Sequence, residues 1–250
     1  TDSLNVTDLV FSGTKLLAAT KNGGVFISAD TGATWTVFNT GLTATSIKKL
    51  VASSSFIYLI TTTNEIYVST GTSWSLISSG LPSGVKPTSL VFYGTNKVAI
   101  GTLGNGVYTA VAGTSTWTAF NTNLSNLNVT SVAAQRTKLF AGTDGNGVMV
   151  TDTAAANWTA TAPTTISHTT LMGLNGNYIQ AMSTYAGYVW ASYKGGLLAT
   201  SDYGTTWIAG GNQFNLPSYT NVYKIDFVTT RVFVTTEHNS LYSNALSELP

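Results

Sequence analysis

Short apolar runs recur along the whole chain, each broken by Gly, Asn, Ser or Thr. Runs of four to eight residues bounded by such residues predict β-strands. Three stretches share one frame: DLVFSGTKLLAAT at 8–20, SLVFYGTNKVAIGT at 89–102 and SVAAQRTKLFAGT at 131–143. Three others share a second frame: GGVFISADTGATWTVFNTGL at 23–42, GVYTAVAGTSTWTAFNTNL at 106–124 and GLLATSDYGTTW at 196–207. Trp35, Trp74, Trp117, Trp158 and Trp207 fall at one place in the repeat, with gaps of 39, 43, 41 and 49 residues.

A period near forty with four strands per unit is the pattern of a propeller blade. In the clearest unit the strands, a to d, read Val129–Gln135, Lys138–Thr143, Gly147–Thr151 and Asn157–Thr161. The b–c links KNGG (21–24), LGNG (103–106) and DGNG (144–147) supply the positive φ of tight hairpins. Inner strands begin near Val6, Ile47, Ser89, Val129, Tyr178 and Val222. The expected fold is all-β: a six-bladed propeller of four-stranded antiparallel blades, or seven-bladed if the chain is a fragment. Residues 1–250 are expected to form one domain whose ring is closed by the two termini, because the sixth unit has three strands and no tryptophan-bearing fourth. The recurrent tryptophan reads as an inter-blade wedge.

Composition narrows the function. Hydrophobic residues make up 43%, but charged residues only 8%, and Ser and Thr about a quarter. A net charge of +1 cannot make the basic stripe of a nucleic-acid binder. No apolar run is long enough to span a membrane as a helix. Cysteine is absent, which removes disulfides, thiol catalysis and Cys-ligated metals. Low charge, no cysteine and a polar opening, TDSLNVT, fit an exported, processed chain located outside the cell or on its surface.

Two repeats carry Ser/Thr-x-Asp-x-Gly-x-Thr-Trp: Ser28, Asp30, Gly32, Thr34, Trp35 and Thr200, Asp202, Gly204, Thr206, Trp207. An Asp there can accept hydrogen bonds from its own turn, Gly takes the positive φ, and Trp buries the hairpin end. The motif resembles the Asp-box (BNR) repeat, and the resemblance covers nearly the whole chain. Three copies have decayed: 69–74 is one residue short, Ala112 replaces Asp, and Thr153 replaces Asp. The resemblance implies a structural box on the face opposite the ligand site. It joins sialidases, xyloglucan-cleaving hydrolases, sortilin-type receptors and photosystem assembly factors; the wording is most similar to repeats of surface-attached proteins of gliding bacteria.

Enzyme chemistry finds little footing. Sialidases of this kind use three arginines, and this chain has only Arg136 and Arg231. Glycoside hydrolysis needs two carboxylates facing one cleft, and of the acids on the side opposite the boxes, Glu65, Asp144 and Glu237 fall in or beside b–c turns. His168 and His238 have no GxSxG context and no metal-ligand spacing. No catalytic residue, metal or cofactor is expected.

Departures within the repeat mark candidate binding positions. The last residue of strand b reads Thr20, Thr62, Thr102, Thr143, Tyr193 and Thr236, so Tyr193 breaks a threonine column. The 163–177 connection is longer than its equivalents and carries His168. Tyr193, Lys194, His168 and Tyr219 are therefore the candidate binding residues, with aromatic rings as stacking surfaces. The expected function is a non-enzymatic recognition or adhesion module. It would bind a glycan or a surface protein through the face opposite the boxes. A structural spacer or subunit of a surface layer or filament is the alternative, and a glycoside hydrolase ranks last.

Overall fold

The computed structural model describes residues 4–155, 157–161, 178–193, 196–209, 221–228, 231–236 and 241–245. Among them lie twenty-three strands and no helix. The strands form six antiparallel sheets, and the fold is a six-bladed β-propeller. Blade 1 contains β1 (Val6–Ser12), β2 (Lys15–Thr20), β3 (Val25–Ser28) and β4 (Thr36–Val37). Blade 2 contains β5 (Ile47–Ala52), β6 (Ile57–Thr61), β7 (Ile66–Ser69) and β8 (Trp74–Leu76). Blade 3 contains β9 (Pro87–Tyr93), β10 (Lys97–Thr102), β11 (Gly106–Val111) and β12 (Thr118–Ala119). Blade 4 contains β13 (Val129–Gln135), β14 (Lys138–Thr143), β15 (Val148–Asp152) and β16 (Thr159–Ala160). Blade 5 contains β17 (Ile179–Tyr185), β18 (Tyr188–Tyr193), β19 (Gly196–Thr200) and β20 (Ile208–Ala209). Blade 6 shows three strands among the described residues, β21 (Val222–Val228), β22 (Arg231–Thr236) and β23 (Leu241–Ala245). Residues 1–3 and 246–250, on which terminal closure turns, lie outside the described residues.

Two compact units divide the chain: Thr1–Ile100 with Tyr108–Ala119, and Gly101–Val107 with Phe120–Pro250. In the first, Leu17, Ala19 and Val25 of blade 1 pack on Ile47, Leu50, Leu59 and Trp74 of blade 2. Tyr58, Ile60 and Ile66 of blade 2 pack likewise on Val98, Ile100 and Trp117 of blade 3. In the second unit, Phe140 and Val148 meet Ile179, Val189 and Trp207, while Trp190 and Leu197 meet Val222 and Val232. The core is therefore a series of inter-blade layers, since each short blade buries its faces only against its neighbours.

A bulge near the start of the inner strand aims one polar side chain at the next blade. Thr7 Oγ1 donates to the Ile47 carbonyl at 2.8 Å, and Lys48 Nζ to the Pro87 carbonyl at 2.9 Å. In the second unit Thr130 donates to the Ile179 carbonyl, and Gln180 accepts from the Val222 amide. Asp8 follows the first bulge and is buried. Its carboxylate accepts the Leu50 amide at 3.0 Å and pairs with Lys49 at 3.4 Å, as a buried charge must.

The tryptophan wedge holds for Trp74, Trp117, Trp158 and Trp207, all buried. Trp35 departs from it. Its side chain is 38% exposed, against 3% for Trp74. The other four pack on the blade that precedes theirs.

Candidate functional site

At the end of the blades where strands c and d join, two kinds of turn occur. In blade 1 the Ser28 hydroxyl donates to Asp30 Oδ1 at 2.7 Å and accepts the Gly32 amide at 2.8 Å. The Thr34 amide donates to Asp30 Oδ1 at 2.9 Å and the Thr34 hydroxyl to Oδ2 at 2.6 Å. Thr31 and Gly32 take the left-handed φ values, 60° and 99°, that the turn requires. The Thr34 hydroxyl and amide, with the Ser28 hydroxyl, hold the Asp30 carboxyl down at about 2. Blade 5 repeats the arrangement with Thr200, Asp202, Gly204 and Thr206. Burial alone would raise the Asp202 carboxyl, but the Thr206 and Thr200 hydrogen bonds outweigh it and keep it low. Each carboxylate spends its lone pairs inside its own turn, leaving little for a ligand.

Blades 2 and 3 lack that carboxylate, and a groove of about 510 Å³ opens at their turns. Blade 2 lines it with Ser69, Thr70, Ser73 and Ser75, and blade 3 with Thr114, Ser115 and Thr116. Phe56, Val68, Leu76, Ile77 and Gly113 complete the lining, so no ionisable side chain faces it. Tyr58 reaches across from blade 2, where its hydroxyl accepts the Gly113 amide at 2.8 Å. Burial pushes the Tyr58 phenol up, against the opposing pull of that amide. The Tyr58 ring is wedged edge-on between Phe92 and Trp117, at 5.5 and 6.5 Å, and so fixes one wall. Gly113 sits at φ 84°, and the Phe56 ring occupies the space a Cβ there would need. Main-chain bonds from Trp117 to Ser79 and from Ala112 to Asn96 hold the other wall. The result is a cleft that brings seven hydroxyls beside four apolar side chains, with donors and acceptors but no charge.

The positions picked from the sequence fare differently. Tyr193 is buried, 7% exposed, among Ile179, Val189, Leu198 and Trp207, and is no stacking surface. Burial also pushes its phenol up. The threonine column has a structural cause. Thr20, Thr102 and Thr143 donate their hydroxyls to the carbonyls of Gly24, Gly106 and Gly147 and so tie the b–c turn. In blade 5 the Tyr193 ring takes that place, filling the space beside Gly196 that a Cβ would claim. Lys194, His168 and Tyr219 lie outside the described residues. The groove is not legible in the sequence, where the boxes at 69–74 and 112–116 show only a missing residue and an Ala in place of Asp. Their adjacency in sequence was the available signal. It also sits at the box end of the blades, not at the b–c rim. Among the described residues no three His, Asp or Glu side chains converge as metal ligands.

No family model and no curated protein matches the chain. Among solved structures, it is similar to YCF48 bound to D1 peptide at 16% identity and TM-score 0.68, over 97% of this chain and 78% of that one. The extracellular domain of BT4673 from B. thetaiotaomicron matches at 16% identity and TM-score 0.73, over 100% of this chain and 33% of that one. PorZ, a surface component of the type-IX secretion system of Porphyromonas gingivalis, matches at 12% and 0.69, over 97% and 33%. The chain thus spans about a third of the length of the last two. At these identities the likeness is one of fold. No helix among the described residues is long and apolar enough to cross a membrane.

Proposed function

We propose that this chain is a non-enzymatic recognition module of Asp-box type, working outside the cell or on its surface. It binds a neutral glycan through the groove between the turns of blades 2 and 3. The observation that carries this reading is the groove's lining: seven hydroxyls, apolar side chains that include Phe56 and Leu76, and no ionisable group. Sugars present hydroxyls and apolar C–H faces together, and a few placed polar groups over apolar surface suit both. Hydrolysis would require two facing carboxylates, and the groove supplies none. The extracellular and surface neighbours favour the location. Affinity electrophoresis through gels of neutral polysaccharides tests the reading. The chain should be retarded by at least one of them, and Ser75→Trp, which fills the groove from an exposed position, should migrate as in a blank gel. Retardation by none favours a spacer, and release of reducing ends favours an enzyme. The YCF48 likeness supports a second reading, a peptide in the same groove.

A further inference from the structure

Gly113 to Thr116 form the blade 3 wall of the groove, and this wall is tied to blade 2 at both ends. At the first end the Gly113 amide donates to the Tyr58 hydroxyl at 2.8 Å. There too, Cε1 and Cζ of the Phe56 ring occupy the place that a Cβ on Gly113 would take. At the other end Thr116 bridges Ser79 in parallel, and the Trp117 amide donates to the Ser79 carbonyl at 2.8 Å. Three chain steps separate Gly113 from Thr116, so the stretch between the ties spans at most about 11 Å.

Phe56 stands at the first tie because the link between β5 and β6 is long. Ala52 pairs with Ile57, leaving four residues in the link. The pairs Ser12 with Lys15, Gln135 with Lys138 and Tyr185 with Tyr188 leave two. Ser53 folds the added length: its amide donates to the Phe56 carbonyl at 2.8 Å, and its hydroxyl accepts the Phe56 amide at 3.0 Å. The ring is thus held half-buried at the closed end of the groove.

Between the ties, two of the seven hydroxyls are already engaged. Ser69 Oγ accepts the Gly71 amide at 3.0 Å, and Thr114 Oγ1 donates to the Val111 carbonyl at 2.8 Å. The hydroxyls of Thr70, Ser73 and Ser75 on one wall, and of Ser115 and Thr116 on the other, make no hydrogen bond among the described residues.

Resting on the neutral-glycan reading, we propose that the groove receives a terminal sugar, at a chain end or on a one-sugar branch, and not the interior of a chain. An internal sugar carries a glycosidic link on each side, and along the groove each link would run into a tie. A terminal sugar has one link, which leaves through the open side. Its C–H face rests on the Phe56 ring, and its hydroxyls meet the five free ones.

The test is affinity electrophoresis of the 250-residue chain through matched pairs of neutral polysaccharide gels at equal mass. The pairs share their sugars and differ in chain ends: glycogen against linear amylose, branched α-mannan against its debranched backbone, and galactomannan against the same polymer stripped of galactose. The branched member of at least one pair should retard the chain, and its linear member should pass it as a blank gel does. Phe56→Leu, which keeps an apolar plug but removes the ring, should weaken that binding by on the order of tenfold or more, as for a central aromatic anchor. Ser115→Ala, at an exposed position, should weaken it about fivefold, the worth of one hydrogen bond, with Tm unchanged. Equal retardation by both members of a pair, abolished by Ser75→Trp, would overturn end recognition and leave the neutral-glycan reading standing. Retardation by no gel would overturn both. Wild-type binding by both Phe56→Leu and Ser115→Ala would also overturn the proposal, since the closed end would then bear no sugar.

Discussion

Blades 1 and 2 are neighbouring copies of one repeat, yet their c–d turns do opposite things. In blade 1 Asp30 gathers Ser28 and Thr34 into a closed hydrogen-bonded turn, and Trp35 lies exposed over it. In blade 2 the carboxylate is missing, Trp74 is buried with its indole N–H on the Phe38 carbonyl, and the hydroxyls of Ser69 and Ser73, the counterparts of Ser28 and Thr34, face a groove. Loss of an organising carboxylate at a turn thus does more than weaken it. It leaves hydroxyls open to solvent, where a ligand can use them, while the tryptophan stays packed, as Trp207 does beside the intact box of blade 5.

The largest expected contrast lies in the wedges. Trp74→Ala removes a buried ring and should cost about 3–5 kcal/mol in urea unfolding, whereas Trp35→Ala should stay within about 0.5 kcal/mol. Equal losses would break the distinction between the two blades. A smaller effect is expected from Tyr58→Phe, which leaves the Gly113 amide without its acceptor. It should lower stability by about 1 kcal/mol and weaken groove binding, with no change in hydrogen exchange at the Asp30 turn. The smallest effect is electrostatic. The folded-state Asp30 carboxyl, at about 2, lies below its ordinary 3.8. Its stabilisation is therefore complete above the ordinary value and is lost as pH falls through about 2. Between pH 4 and pH 2 the wild type should lose more stability than Asp30→Asn, measured by thermal melts. Identical slopes would show that the Thr34 and Ser28 bonds contribute nothing measurable.

Strand positions were legible because period and turn chemistry agreed. Blade 4 was read as Val129–Gln135 and Lys138–Thr143, and these are β13 and β14 to the residue. Sites were less legible, for physical reasons. Tyr193 stood out from a threonine column, but the cause lay three residues on, in a glycine that makes room for a buried ring. The exposure of Trp35 is not legible locally, because Trp207 ends an equally intact box and is buried. The groove arises from two hairpin ends brought side by side, so neither 69–74 nor 112–116 alone announces it.

Hydrogen-exchange mass spectrometry on the full chain, with and without an oligosaccharide of the polysaccharide that retards it most, tests groove recognition directly. Protection confined to peptides covering 68–77 and 112–117, and absent in Ser75→Trp, is the expected result. Protection at the b–c turns 21–24, 103–106 or 144–147 with none at 68–77 and 112–117 would contradict it.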